Sequence, residues 1–163
     1  MIRKIKAFTI LELVVVMILT SIIVGIVYSA YEVVGNQYNS YRKINTQNKQ
    51  VALLNMLLNK DFTTSHFIKC GEDKLLFYDK ENKITSYDFG EQDITRNNNA
   101  FTDTFFIPSL NVEMKFLNQM QQVQNNLVDE LYFESLIFNQ QQAFHFKKQY
   151  AADVLINNET GKV

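Results

Sequence analysis

Phe8-Thr9-Ile10-Leu11-Glu12, followed by the uncharged run LVVVMILTSIIVGIVYSAY at residues 13 to 31, decides how this chain must be organised. As a helix rising about 1.5 Å per residue, that run is long enough to cross about 30 Å of hydrocarbon. Glu12 stands at its mouth. A charge at the bilayer centre costs about 2.5 to 3.5 kcal/mol even on a lenient insertion scale. Glu12 therefore needs a partner, or a place at headgroup depth where water reaches it.

Upstream lie Met1-Ile2-Arg3-Lys4-Ile5-Lys6-Ala7, with three basic side chains in seven residues. The next charge after the apolar run is Glu32, and Arg42 and Lys43 lie well beyond it. The excess of positive charge before the run places the amino terminus in the cytoplasm and everything after about residue 32 outside. A secretory signal peptide also starts with basic residues, but its apolar core is only about 7 to 15 residues and ends at a small-residue cleavage site. Here the run is longer and continues into helix-compatible sequence. A removed signal peptide and an uncleaved signal anchor both stay open on this layout.

The combination of basic leader, Ala7, Phe8, Glu12 and an uninterrupted apolar helix resembles the class III signal of type IV prepilins and pseudopilins. The resemblance covers about 25 residues. It implies that a membrane aspartyl peptidase, the prepilin peptidase, cuts between Ala7 and Phe8 and methylates the new amino group of Phe8. Ala7 stands where that family more often has glycine, and is still a small residue. Glu12 becomes the fifth mature residue. Its implied role is assembly, the carboxylate meeting the terminal amine of a neighbouring subunit so that two charges costly to bury singly are buried as a pair. Other pilin or pseudopilin subunits and an inner-membrane assembly platform are the implied partners. The implied location is the inner membrane, single-pass, with the carboxy-terminal domain periplasmic, or the filament once assembled.

After the span, Val34, Tyr38, Tyr41, Ile44, Val51, Leu54 and Leu58 recur at helical spacings among polar residues, predicting one helix over residues 8 to 59. Gly25 and Gly35 are its weak points, either sites of bending or places of close approach to another helix. Beyond Asp61 the texture becomes strand-like. Residues 74 to 78 and 83 to 89 read as a hairpin, and residues 92 to 96 as a third strand. Further strands are expected over 101 to 107, 112 to 116, 131 to 138 and 144 to 146, with Pro108-Ser109 as a break. The Gln/Asn-rich residues 118 to 126 are expected as a loop or short helix, and residues 150 to 156 as a terminal helical turn or strand. The expected fold is therefore α+β and, by the resemblance, pilin-like: a long amino-terminal helix on a mostly antiparallel sheet. Its parts are a leader (1–7), a membrane and assembly half-helix (8–31), an amphipathic half-helix (32–60) and an extracytoplasmic β-rich domain (61–163). The succession Asp61-Phe62, Leu75 to Tyr78, Ile84 to Phe89 and Ile94-Thr95-Arg96 is also similar to minor pseudopilins of the J type, which sit at or near a filament tip and nucleate it.

Composition agrees with one small exported domain. The 163 residues carry a formal net charge of −1, which gives no overall nucleic-acid signature. Lys147 and Lys148 beside Phe144, Phe146 and Tyr150 form a small basic and aromatic cluster, read as a solvated edge over core aromatics, and no nucleic-acid partner is expected. Cys70 is the single cysteine, so the fold must rest on packing rather than on an intrachain disulfide. His66, Cys70 and His145 are the residues from which a metal or Cys-His site could be imagined. Sequence motifs of hydrolases, metalloproteases or phosphate-binding loops are not found, so no catalytic residue, metal ligand or cofactor is assigned and the chain is not read as an enzyme. Two functions remain: a filament subunit assembled through its helix, or a signal-anchored extracytoplasmic binding module that enters no filament.

Overall fold

The computed structural model describes residues 9–71, 74–80, 82–121 and 126–159. One helix, α1, runs Ile10–Thr64 over 55 residues. The chain divides into two compact units, one ending at Thr46 and one spanning Gln47–Val163.

In the first unit the helix is continuous, and an added Cβ at Gly25 or Gly35 would meet nothing within 4 Å. The chain's own packing thus does not demand glycine at either position. Polar side chains inside the apolar run close their hydrogen bonds locally: Thr20 Oγ1 donates to the carbonyls of Val16 (2.9 Å) and Met17 (3.0 Å), and Ser29 Oγ to that of Gly25 (3.0 Å). Such back-bonding is what a lipid environment requires of a hydroxyl.

In the second unit the end of α1 lies on two antiparallel sheets. The first is a meander of β1 (Phe67–Cys70), β2 (Lys74–Asp79), β3 (Asn82–Phe89), β4 (Ile94–Asn97) and β5 (Thr102–Phe105), in that order. The second contains β6 (Leu110–Phe116), β7 (Gln119–Met120), β8 (Glu130–Ile137) and β9 (Gln140–Lys147), in the order β7-β6-β8-β9. A short helix, α2 (Ala152–Glu159), closes the chain. The architecture is the α+β pilin-like one, a long amino-terminal helix packed against antiparallel strands.

Strand alternation sends Leu75, Phe77, Thr85, Tyr87, Leu131, Phe133, Ser135 and Ile137 inward. The helix meets them with Leu54, Leu58 and Phe62, four residues apart and so on one face. Phe62 joins the two sheets, its ring centroid 5.4 Å from that of Phe77 in β2 and 5.6 Å from that of Phe146 in β9. The sheets are further laced where Val128 N donates to Ile68 O and Cys70 N to Asn126 O, both at 2.9 Å. Over this seam sits Tyr150, whose hydroxyl accepts from Ile68 N (3.1 Å) and donates to Val128 O.

Several expectations change in detail. The helix continues past residue 59 to Thr64, because Phe62 belongs to the core and Asp61 has long-range partners. β1 falls where no strand was expected, and its pairing with β2 supplies what its four residues lack in pattern. The strands form two sheets rather than one. β7 lies within the expected loop at 118 to 126, of which residues 122 to 125 are outside the described residues. At the carboxy end the helical alternative holds, as α2.

Gly90, between β3 and β4, makes a tight turn: its N–H donates to Asp93 O (2.9 Å) and its carbonyl accepts from Ser109 N and Oγ. A Cβ there would lie 2.9 Å from Asp93 O, a backbone atom that cannot swing aside. Gly90→Ala is expected to cost about 1 to 3 kcal/mol, as overpacking does, read as a lowered urea midpoint of the full chain in detergent. Gly35→Ala, with open space around it, should leave that midpoint unchanged or raise it.

Candidate functional site

Two places stand out: the start of α1 and its last turn. At the start, Thr9 caps the helix. Glu12 N–H donates to Thr9 Oγ1 at 3.3 Å, and Leu13 N–H to Thr9 O at 3.2 Å. Thr9-x-x-Glu12 has the spacing of a capping box, and the acidic residue in the first turn suits the positive end of the helix dipole. This signal was in the sequence alongside the reading of Glu12 as an assembly residue. Glu12 is exposed, as are the apolar side chains around it, and none of the most hydropathic window of α1 is buried. Ala7 and Phe8, the expected cleavage and methylation positions, lie outside the described residues.

At the other end, Asp61, Tyr87, Arg96 and Asp103 converge. Tyr87, Arg96 and Asp103 lie abreast on β3, β4 and β5, paired in register across the sheet. Asp61 descends on them from the last turn of α1. Arg96 Nε donates to Asp61 Oδ2 (2.9 Å) and Nη2 to Asp61 Oδ1 (3.3 Å), a bidentate pair. Tyr87 OH donates to Asp61 Oδ2 at 2.7 Å and accepts from Arg96 Nε at 3.0 Å. Arg96 Nη1 reaches Asp103 Oδ2 at 3.4 Å. Asp61 is 4 % exposed, Arg96 7 % and Tyr87 0 %, so the cluster is buried and its charges are matched inside the protein.

Burial, then the hydrogen bond to Asp61, hold the Tyr87 phenol well above its ordinary range. For Arg96, burial is the largest single influence and opposes the charge, but the hydrogen bonds and charges of Asp61 and Tyr87 together outweigh it and the guanidinium is held still more firmly protonated. Both carboxylate oxygens of Asp61 are engaged, so the cluster is a clamp between helix and sheet and offers no free nucleophile or base.

The other residues considered from the sequence are not brought together as a site. The helix ends before His66, which is exposed, while Cys70 is buried in β1, so the two do not share a helical face. His145 lines a shallow cavity of about 310 Å³ with Lys115, Glu130 and Tyr132. Among the described residues no group of three or more His, Cys, Asp or Glu is arranged to hold a metal ion. The basic and aromatic cluster is consumed by the fold: Lys147 pairs with Glu130, Lys148 Nζ donates to Phe62 O at 2.8 Å, and Phe146 is buried.

Residues 2–28 match the family model described as the prokaryotic N-terminal methylation motif. No curated protein and no solved structure matches the chain. The motif is that of a type IV pilin-like class III signal, which supports a pilin- or pseudopilin-type precursor, and the helix behind it is long and apolar enough to cross a membrane. The motif implies processing by prepilin peptidase and assembly with other pilins, as for a structural subunit.

Truncating one member of a buried ion pair strands the other charge and costs about 3 to 5 kcal/mol. Asp61→Ala is expected to lower the thermal midpoint of the detergent-solubilised chain sharply, and the double variant Asp61→Leu/Arg96→Met much less, as differential calorimetry would show. The phenols give a second check. Tyr87 and Tyr150 are both held above the ordinary value of about 10 by burial first, so their contribution to stability is complete below about pH 10 and is lost as pH rises toward their folded values. In an alkaline titration at 295 nm, part of the signal from the eight tyrosines should appear only together with loss of far-ultraviolet dichroism. Complete ionisation before unfolding would contradict the burial.

Proposed function

We propose that the chain is a minor pilin or pseudopilin, a structural subunit at or near the tip of a type II secretion pseudopilus or type IV pilus. The observation that carries this reading is the methylation motif over residues 2–28 at the head of a helix whose most hydropathic window is membrane-length and exposed, and whose last turn is clamped to an antiparallel domain. In this reading residues 1–7 are a leader cut before Phe8, which is then methylated. Residues 8–31 form the membrane and assembly half of the helix, residues 32–60 its amphipathic half, and residues 61–163 the extracytoplasmic domain. The amino terminus starts in the cytoplasm and the domain lies on the far side of the inner membrane.

Glu12 has two environments in this scheme. In the membrane it lies at the end of the apolar run, capped by Thr9 and reachable by water. In a filament, where neighbouring helices cover it, it takes the amine of Phe8 from an adjoining subunit as counterion, since an unpaired buried charge is what the pairing avoids. The resemblance of the succession Asp61-Phe62, Leu75 to Tyr78, Ile84 to Phe89 and Ile94-Thr95-Arg96 to J-type minor pseudopilins is what favours a tip position in this reading.

Mass spectrometry of the chain from cells containing prepilin peptidase is expected to show a mature terminus at methylated Phe8. Retention of Met1 would favour the signal-anchored binding module instead. Glu12→Ala should be cleaved and inserted normally yet recovered in sheared filaments several-fold less than the parent. Equal recovery would remove the assembly role from Glu12.

A further inference from the structure

The first unit of α1 has an aromatic and charged collar at the end opposite Glu12. Tyr28 and Tyr31 are 63 % and 76 % exposed and stand one helical turn apart, with Glu32, the first charge after the apolar run, four residues from Tyr28 on the same face. Glu12 and Glu32 are separated along the axis by about 30 Å at about 1.5 Å per residue, which is the thickness of the bilayer hydrocarbon. Between them every side chain is uncharged and the hydroxyls of Thr20 and Ser29 are satisfied internally. Tyrosine favours the boundary between hydrocarbon and headgroups, where the ring is in apolar surroundings and the hydroxyl is wet.

We propose that Tyr28, Tyr31 and Glu32 form an interfacial anchor on one lipid boundary and hold the helix at the depth that brings Glu12 to the other boundary. The partner is the polar–apolar interface of the bilayer itself. The two carboxylates act as stops and the two phenols as a float between them. Moving the helix inward by one turn would submerge Glu12 or Glu32, at a cost in the range of a charge in hydrocarbon. The anchor keeps Glu12 hydrated until a filament supplies its counterion, and in this it rests on the membrane-anchored reading given above.

The chain has no tryptophan, so a single introduced one is a clean reporter of depth. The full chain is reconstituted in phosphatidylcholine/phosphatidylglycerol vesicles that carry a nitroxide near the top or near the end of the acyl chain. The Tyr31→Trp chain should be quenched at least about twofold more by the shallow label, and the Ile22→Trp chain more by the deep one, as expected for an interfacial and a mid-span position. Adding Tyr28→Ala and Tyr31→Ala to Ile22→Trp should shift its quenching toward the shallow label. Deep quenching of Tyr31→Trp, or an Ile22→Trp ratio unmoved by loss of both tyrosines, would overturn the anchor while leaving membrane insertion intact. So would quenching that tracks protein-to-lipid ratio instead of label depth, since the tyrosines would then face a second copy of the chain. A chain that fails to float with the vesicles would defeat the membrane reading and the anchor together.

Discussion

The bidentate pair between Asp61 and Arg96 is the constraint on which the second unit depends. A carboxylate in the last turn of a helix faces the negative end of the helix dipole, so Asp61 is locally unfavourable there. It is tolerated because Arg96 and Tyr87 wait beneath it, and they in turn would be a buried cation and a buried hydroxyl without it. Each group is costly alone and acceptable only in company. The cluster therefore ties one rotation and one axial position of α1 to the register of β3, β4 and β5. Apolar packing of Leu54, Leu58 and Phe62 supplies the larger favourable term but is less particular about position, since greasy surfaces slide more readily than a two-pronged hydrogen bond.

What the sequence disclosed follows the range of the forces involved. The apolar run, the helical spacing through Leu58 and the hairpin around Asp79-Lys80 are local patterns, and all are present. The helix end was misplaced because nothing near residue 59 tells the chain to continue. The reasons lie in β4 and β9, at Arg96 and Phe146. Gln140 to Ala143 look like loop by composition, yet they pair with residues 134 to 137 of β8 as an exposed edge strand. The two-residue connection at Phe138 and Asn139, both with positive φ, sets that register, and a phenylalanine there gives no turn signal. The clamp is not legible in the sequence: Asp61, Tyr87 and Arg96 lie far apart along the chain, and their convergence depends on a sheet pairing that spacing alone does not reveal.

The two units divide the demands placed on the chain. The first is one continuous helix, closes the hydroxyls of Thr20 and Ser29 on its own carbonyls and leaves its apolar side chains outward, as a segment suited to lipid or to other helices must. The second buries its apolar side chains and its charged cluster, and with a single cysteine it does so by packing and hydrogen bonds. The boundary at Thr46 and Gln47 falls inside one uninterrupted helix, so the change of environment is written in side chains and not in a break of the backbone.

Tyr150 and Lys148 reach back across more than eighty residues, to Ile68 and to the Phe62 carbonyl. Synthesis proceeds from the other end. A ribosome that has delivered the chain only as far as Lys147 has made every described strand but neither of these fasteners, and the first strand still lacks the phenol that receives its amide. Closure of the seam between the two sheets therefore waits on residues that follow the last strand.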